Sequence, residues 1–211
     1  MPIPDKKYQI ILDLCGGTGA WSKPYKDNGY DVRNITLPDY DVRTYMPPEN
    51  VYGILAAPPC TMFSYARNEK TAKEKRDFKK GMEIVIACLN IIWQCQYNNP
   101  LKFWVLENPR GYLYRFLGRP VFEFDPCDFE DPYTKRTYLW GMFNIPKKHK
   151  IEPLRLGNSG KTFIKEVEHF KYLKQHQIPE EYKEKTGLTW RTIVRSITSE
   201  GFAKAFYEVN Q

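Results

Sequence analysis

A cysteine that follows a pair of prolines is the most chemically suggestive residue of the chain. Cys60 comes after the apolar run Tyr52–Ala57 and the pair Pro58-Pro59, which cannot continue a strand ladder. The prolines therefore place Cys60 just outside the carboxyl end of the predicted strand, where α/β folds bind their ligands. A lone cysteine is usually a small packing residue. The position of Cys60 after the strand, rather than within it, favours a nucleophile.

Glu107 holds the equivalent place on the next predicted strand. The apolar run Phe103–Leu106 predicts that strand, and we expect Glu107-Asn108-Pro109 to stop it. A right-handed strand–helix–strand crossover would make the two strand ends neighbours, so Cys60 and Glu107 should face one pocket. A thiolate can attack an electrophilic carbon while a carboxylic acid protonates the group that receives the electrons. A helix cap or half of a salt bridge is the alternative role for Glu107.

A glycine-rich turn ends the first predicted strand. The segment Asp13-Leu14-Cys15-Gly16-Gly17-Thr18-Gly19 follows the apolar run Tyr8–Leu14. Glycines let the backbone approach a cofactor closely, and nucleotides bind at this position in α/β folds. Such turns also occur for packing alone, and no Lys-Ser/Thr pair follows that would make this one a P-loop. The turn is a candidate cofactor site.

The stretch Thr61–Lys80 after the candidate nucleophile is basic. It contains seven Lys or Arg against three Asp or Glu. Such a loop could bind a phosphate backbone. A solvated lysine-rich loop explains the charge equally well.

The elements that must position these residues alternate between helix and strand, which is typical of an α/β domain. Further strands are predicted at Tyr30–Thr36, Val121–Phe124 and Thr137–Trp140, the last two more antiparallel. Helices are predicted at Trp21–Asn28, Lys79–Tyr97 and Ser199–Val209. The apolar residues of the second helix have three- and four-residue spacing and are expected to pack in the core: Met82, Val85, Ile86, Leu89, Ile92 and Trp93.

Composition places the chain among folded proteins. Its 211 residues include 42% hydrophobic ones, which excludes a disordered or low-complexity chain. A formal charge of +7 suits a polyanionic partner, although surplus lysines also serve solubility. Five scattered cysteines without a CxxC pair predict reduced thiols. Because neither a signal peptide nor a membrane span is predicted, we expect a cytoplasmic protein.

Three regions are predicted along the chain. Residues 1–141 form the catalytic core, residues 142–190 a small basic region, and residues 191–211 a segment whose helix returns to the core. Periodicity fades in the second region, which holds all three histidines. These have no carboxylate or cysteine at ligand spacing, so no metal site is predicted.

Taken in order, the motifs resemble those of the cytosine-5 DNA methyltransferases, most of all their short phage and prophage members. The resemblance implies a Rossmann-like, S-adenosylmethionine-dependent methyltransferase fold with a mostly parallel sheet, helices on both faces and a small target-recognition region at 142–190. The matching segments are Asp13–Gly19, Pro58-Pro59-Cys60 with Phe63-Ser64, Glu107-Asn108, Arg136 in KRTYLWG, and Arg195-Ser196-Ile197.

The resemblance also implies the chemistry. Cys60 would attack C6 of a cytosine, Glu107 would hold and protonate N3, and C5 would take a methyl group from S-adenosylmethionine. Arg136 would bind the cytosine O2 and steady Glu107. The substrate would be DNA, most naturally double-stranded, with the target base flipped out of the stack. The same fold acting on RNA or adding another group at C5, and an eroded protein that only binds nucleic acid, are the alternatives.

Binding residues carried over from the family fall into two groups. For the cofactor they are Asp13, Cys15, Gly17, Thr18, Gly19, Asp41, Val42, Pro59 and Ser196. For DNA they are Ser64, Arg67, Lys70 and Lys73. The chain departs from the family pattern at four positions, where Cys15 replaces an aromatic residue, Thr61 replaces a glutamine, and Pro132 and Thr134 replace the glutamine and first arginine of the arginine motif.

Overall fold

A six-stranded mixed β-sheet forms the centre of the protein. The computed structural model describes residues 5–70, 72, 74–156, 162–163, 184 and 186–211. The strands are β1 (Ile10–Leu14), β2 (Asp31–Ile35), β3 (Val51–Ala56), β4 (Phe103–Pro109), β5 (Phe122–Phe124) and β6 (Thr137–Met142). They lie in the order β2-β1-β3-β4-β6-β5, in which β1 to β4 are parallel and β6 runs antiparallel to both β4 and β5. The α/β class is as predicted, and the sheet is mixed.

Five α-helices accompany the sheet in the described part of the chain. They are α1 (Lys23–Asp27), α2 (Phe78–Asn98), α3 (Tyr114–Leu117), α4 (Trp190–Ser196) and α5 (Glu200–Val209). Short 3-10 helices cover Lys6–Tyr8 and Pro126–Asp128, and a two-stranded ladder joins β7 (Arg155–Leu156) to β8 (Thr162–Phe163). Within the described residues, no helix has both the length and the apolar composition needed to cross a bilayer.

Each face of the sheet carries its own apolar core, because successive strand residues point to opposite faces. On one face Leu12 and Ile54 pack in a cluster with residues of α2. On the other face Ile11 and Leu55 pack with Phe206 and other residues of α1 and α5. Helices therefore cover both faces of the sheet, as the resemblance implied.

The buried face of α2 differs from the predicted one. Ile86 and Trp93 are 46% and 59% exposed, whereas Cys88, Ile91 and Cys95 are buried. Cysteine packs as a small apolar residue, so the stripe that contains Cys88 and Cys95 faces the sheet. The prediction that Ile86 and Trp93 pack in the core is wrong.

Strand β4 continues past its predicted end. The parallel partner β3 ends at Ala56, which pairs with Leu106, but the antiparallel partner β6 goes on to pair with Glu107 through Pro109. Pro109 is the last residue of the strand, where the missing amide hydrogen is tolerated. Glu107 thus lies within β4, just beyond the reach of β3, and the prediction that it stops the strand is wrong.

The C-terminal helix docks on the core, as predicted. Phe202 and Phe206 of α5 are fully buried, and the rings of both lie less than 6 Å from that of Trp21. The Tyr25 hydroxyl donates a hydrogen bond to the Asn210 carbonyl at 3.2 Å. Most of the predicted target-recognition region falls at 157–161, 164–183 and 185, which lie outside the described residues.

Candidate active site

The three motifs meet at one edge of the sheet. In the parallel register Leu14 of β1 is level with Ala56 of β3, and Ala56 with Leu106 of β4. The glycine-rich turn and the Pro-Pro-Cys segment therefore leave the sheet at the carboxyl ends of β1 and β3, and Glu107 lies in β4 one residue beyond the last pair with β3. This edge is where α/β sheets bind ligands.

Asn108 fixes the Pro-Pro-Cys segment to β4. Its fully buried side chain donates a hydrogen bond from Nδ2 to the Pro58 carbonyl at 2.9 Å. Beyond the prolines, the Cys60 carbonyl accepts hydrogen bonds from the amides of Phe63 at 2.9 Å and Ser64 at 2.8 Å. A single tight turn therefore carries the cysteine, and one buried amide sets its distance from the strand of Glu107.

A second set of contacts joins the turn after Cys60 to the loop after β4. Ser64 and Gly111 form an antiparallel bridge, and the Tyr112 amide donates to the Phe63 carbonyl at 2.8 Å. A Cβ atom on Gly111 would lie 2.2 Å from the Phe63 oxygen, so only glycine allows this approach. The two loops are consequently joined through their backbones.

Cys60 and Glu107 lie in one electrostatic neighbourhood. Cys60 is half-buried. Burial and the nearby Glu107 carboxylate raise the pKa of its thiol, whereas Lys135 and Arg195 oppose that rise. The structure brings the two residues together with two cations that the motifs alone did not assign.

Burial also acts on Glu107. Its removal from water raises the pKa of the carboxyl group, and the positive charge of Lys135 lowers it. Glu107, Lys135 and Thr137 line a small crevice together with Thr198 and Ser199. The carboxyl group is therefore placed where a buried acid could donate a proton to a ligand.

Lys135 ties the segment before α5 to this crevice. Its Nζ donates hydrogen bonds to the carbonyls of Arg195 at 2.8 Å and Ile197 at 3.3 Å. These carbonyls lie at the C-terminal end of α4, where a cation is favoured. Lys135 thus holds the chain around Ser196 close to Glu107.

Arg136 has different partners from those expected. Its guanidinium bonds Asp125 at 2.8 Å and Glu123 at 3.3 Å. Lys135 and Thr137 line the crevice, whereas the intervening Arg136 side chain bonds acidic residues on either side of Phe124. Among the described hydrogen bonds and ion pairs, none joins Arg136 to Glu107. In this structure Lys135, not Arg136, is the cation beside Glu107.

The glycine-rich turn needs left-handed backbone at Cys15, Gly17 and Gly19, where φ is 57°, 58° and 74°. A Cβ atom on Gly16 would lie 2.3 Å from Cγ of Asp13, so the turn closes directly over that carboxyl group. Thr18 lies half-buried between the last two glycines. The result is a turn with its backbone open to close approach.

Asp13 supports this turn from below. Its carboxyl group is fully buried, and Oδ2 accepts a hydrogen bond from the Ser22 hydroxyl at 2.5 Å. Oδ1 is buried without a hydrogen-bond partner. Burial raises the pKa of Asp13 to about 6. An unsatisfied buried oxygen under a glycine turn fits a site that gains a donor when its ligand binds.

Cys15 turns towards α2 rather than into the turn. Its thiol lies near that of Cys88, and this proximity, together with burial, raises the pKa of Cys88 well above its ordinary value. Both cysteines are free thiols. The position that holds an aromatic residue in the family is therefore filled by a thiol pair.

The remaining cofactor candidates lie around the same edge. Asp41 forms a two-pronged ion pair with Arg43, which lowers the pKa of the carboxyl group to about 2. Val42 is buried beside it, and Pro59 is exposed next to Cys60. Ser196 is exposed at the end of α4 and donates to the Ile193 carbonyl at 2.7 Å.

Two of the predicted DNA contacts are structural instead. Ser64 is buried, and its hydroxyl oxygen accepts a hydrogen bond from the Ala66 amide. The Arg67 side chain is only 7% exposed, pairs with Glu69 and donates to the carbonyls of Thr61 and Glu74. Both side chains are consumed in building the loop, so the prediction that they face a DNA strand is wrong.

The lysines of the same loop differ from these two residues. Lys70 is exposed, as a phosphate contact would require. Lys73 lies outside the described residues. The loop therefore offers lysines, rather than arginines, to solvent.

Comparison with known proteins does not assign the chain to a family. A scan of the chain against protein-family models and a search of curated proteins both find no match. In the described ranges, no group of three His, Cys, Asp or Glu side chains could hold a metal ion. Functional inference consequently rests on the residues and their geometry.

Four features of this site had no role assigned from the sequence. Asn108, Lys135 and Arg195 all belong to the matching segments, but none of them was assigned a part in the chemistry. The segment 110–119 was not singled out, although it contains three arginines and no acidic residue. That charge pattern was visible in the sequence.

Proposed function

We propose that this protein transfers a methyl group from S-adenosylmethionine to C5 of cytosine in DNA. The observation that supports it is the pairing of Cys60 with Glu107 at adjacent strand ends, inside the field of Lys135 and Arg195. A nucleophilic thiol and an acid can act on one small ring only if both lie within a few ångströms of that ring. The glycine-rich turn lies at the same edge of the sheet.

The chemistry divides between the two residues. The Cys60 sulfur forms a bond to C6, and the displaced electron pair moves onto N3, which takes a proton from Glu107. C5 then has the electron density to take a methyl group, and S-adenosylhomocysteine leaves. A water molecule takes the C5 proton, the electron pair of that C–H bond re-forms the C5–C6 double bond, and Cys60 leaves as a thiolate. N3 returns its proton to Glu107. The balance needs no oxidant or reductant.

Electrostatics suits this division. Because burial raises the pKa of Glu107, its acid form is favoured, which the donation to N3 requires. The Cys60 thiol is disfavoured as a thiolate by burial and by the charge of Glu107. Protonation of Glu107 removes the second of these penalties and leaves Lys135 and Arg195 to stabilise the thiolate. The acid form of one residue therefore assists the nucleophilic form of the other.

The cofactor would bind at the glycine-rich turn. S-adenosylmethionine supplies an electrophilic methyl group on a positively charged sulfur. The left-handed turn allows close backbone approach, and the unpartnered Oδ1 of Asp13 lies beneath it. Asp41, in the segment that follows β2, would accept hydrogen bonds from ribose or adenine groups. Five free thiols suit a reducing, cytoplasmic setting.

The fold agrees with the proposal. Four parallel strands covered by helices on both faces, with the candidate residues at their carboxyl ends, fit a Rossmann-like methyltransferase. Strand β6 adds an antiparallel neighbour, and Lys135, two residues before it, lines the crevice.

Mass spectrometry of nucleosides tests the activity. Unmethylated DNA is incubated with the protein and S-adenosylmethionine, then digested. We expect 5-methyldeoxycytidine from the wild type and from Cys95→Ala, a matched change at a buried cysteine of α2, but none from Cys60→Ala. Product from Cys60→Ala, or a methyl group on the exocyclic nitrogen, would contradict the proposal. Modification of RNA but not of DNA would show that the substrate is RNA.

A further inference from the structure

The loop after β4 presents a basic, aromatic surface beside the Cys60 turn. Residues 110–119 contain three arginines, Arg110, Arg115 and Arg119, and no acidic residue. All three are exposed. Within the described part of the chain, no ion pair involves them. Their charge is therefore available to an external anion, unlike that of Arg67.

Two tyrosine rings lie on the same surface. Tyr65 and Tyr114 are both exposed, one from each loop, and their hydroxyl groups are close enough for each to shift the pKa of the other. The ring of Tyr65 also meets that of Tyr112 edge-on, with 4.7 Å between centroids. The two exposed rings therefore lie together on one surface, and Tyr65 packs against a third ring.

Stacked cations connect this surface to the candidate nucleophile. The Tyr112 ring has the Arg76 guanidinium at 4.9 Å and the Arg115 guanidinium at 5.0 Å from its centroid. Arg76 in turn donates to the Met62 carbonyl at 2.6 Å, within the turn that follows Cys60. A ligand bound at Arg115 and Tyr114 would therefore lie on a support shared with the Cys60 turn.

We propose that Tyr65, Tyr114 and Arg115 form a binding surface for DNA that is single-stranded beside the target base, rather than for the double-stranded DNA that the resemblance implied. Exposed aromatic rings stack on bases only where the bases are not paired, and stacking tolerates any sequence. The arginines of 110–119 would neutralise phosphates along the same strand. The occupant follows from this complementarity of charge and rings. The inference rests on the proposed function for the identity of the substrate and assigns new residues to its recognition.

Binding can be measured apart from catalysis. Fluorescence anisotropy with a labelled single-stranded oligodeoxynucleotide, without S-adenosylmethionine, gives the affinity of each variant in the Cys60→Ala background. We expect Tyr114→Ala to weaken binding about 5- to 100-fold, and Tyr114→Phe, which keeps the ring, to bind as the parent does. Arg115→Ala should reduce the slope of log affinity against log salt by about 0.7.

Matched controls come from the other end of the sheet. The control variants are Tyr97→Ala and Lys102→Ala. Tyr97 is 91% exposed near the end of α2, and Lys102 is exposed just before β4. These controls should bind as the parent does. The proposed binding surface would be refuted by any of three results: equal losses of affinity for Tyr97→Ala and Tyr114→Ala, unchanged affinity in Tyr114→Ala, or a loss in Tyr114→Phe as large as that in Tyr114→Ala. Tighter binding of an RNA of the same sequence would overturn the assignment to DNA.

The two proposals fail separately. If the Tyr114 series behaves as expected but no methylated base forms, the surface stands and the methyltransferase assignment fails. If methylated cytosine forms while Tyr114→Ala neither binds DNA less tightly nor raises the KM for DNA, the surface fails and the activity stands.

Discussion

Replacing Asp13 with asparagine should make the free energy of unfolding depend differently on pH. Asp13 is fully buried, has one partnered oxygen, and has a pKa raised by burial from 3.8 to about 6. A raised pKa means that the folded state favours the protonated form. The wild type therefore loses stability as pH rises from about 4 through 6, whereas the asparagine variant has no proton to lose.

The magnitude follows from the two pKa values. The difference between 3.8 and about 6 corresponds to about 3 kcal/mol of ionisation cost once the pH exceeds both. Urea unfolding of wild type and Asp13→Asn at about pH 4 and about pH 7.5 gives the difference in the free energy of unfolding at each pH. That difference should move in favour of the variant by about 2 to 3 kcal/mol between the two conditions.

A control with the opposite pKa direction isolates the effect. Arg43 lowers the pKa of the half-buried Asp41 to about 2, so its carboxylate stabilises the fold above the unfolded pKa and loses that contribution only as pH falls towards 2. Asp41→Asn should gain nothing relative to wild type as pH rises from about 4 to about 7.5. A stability difference for Asp13→Asn that is equal at both pH values would refute the reasoning about the turn.

The remaining predictions concern the nucleophile and its loop. Glu107→Gln should lower, and Lys135→Met should raise, the pKa of the Cys60 thiol, measured from the pH dependence of its alkylation by iodoacetamide; shifts of the same sign in both variants would contradict the shared electrostatic site. Arg67→Met should destabilise the protein by about 1 to 3 kcal/mol because it removes a buried donor from two carbonyls, whereas Lys70→Met, at an exposed position, should change the free energy of unfolding by less than about 0.5 kcal/mol. Equal changes in the free energy of unfolding for Arg67→Met and Lys70→Met would contradict the structural role of the Arg67 side chain.

Local patterns predicted most of the elements but not their pairing. The strands β1 and β3 were visible because apolar runs end at a glycine turn and at a proline pair. The end of β4 was not, because it is set by the distant β6. The face of α2 was misjudged since two apolar stripes lie side by side on the helix, and the one that contains Cys88 and Cys95 packs on the sheet.

The site shows the same division. Topology sufficed to place Cys60 near Glu107, because a crossover makes adjacent strand ends neighbours. The partners of Arg136 could not be predicted, because a sequence motif does not show to which side a residue points. Lys135, not Arg136, therefore lies beside Glu107. The contacts of Arg67 could not be predicted either, because they depend on which backbone carbonyls the folded loop leaves without a hydrogen-bond donor.

The most direct test of the central claim is to trap the bond between Cys60 and the cytosine ring. DNA with fluorine in place of hydrogen at C5 of cytosine cannot lose a proton there, so the adduct should persist after methyl transfer. With S-adenosylmethionine present, we expect the intact mass of protein plus DNA, and peptide mapping should place the link at Cys60. The adduct should form with Cys95→Ala and not with Cys60→Ala. A protein that methylates DNA without an adduct, or one linked through another residue, would contradict the account.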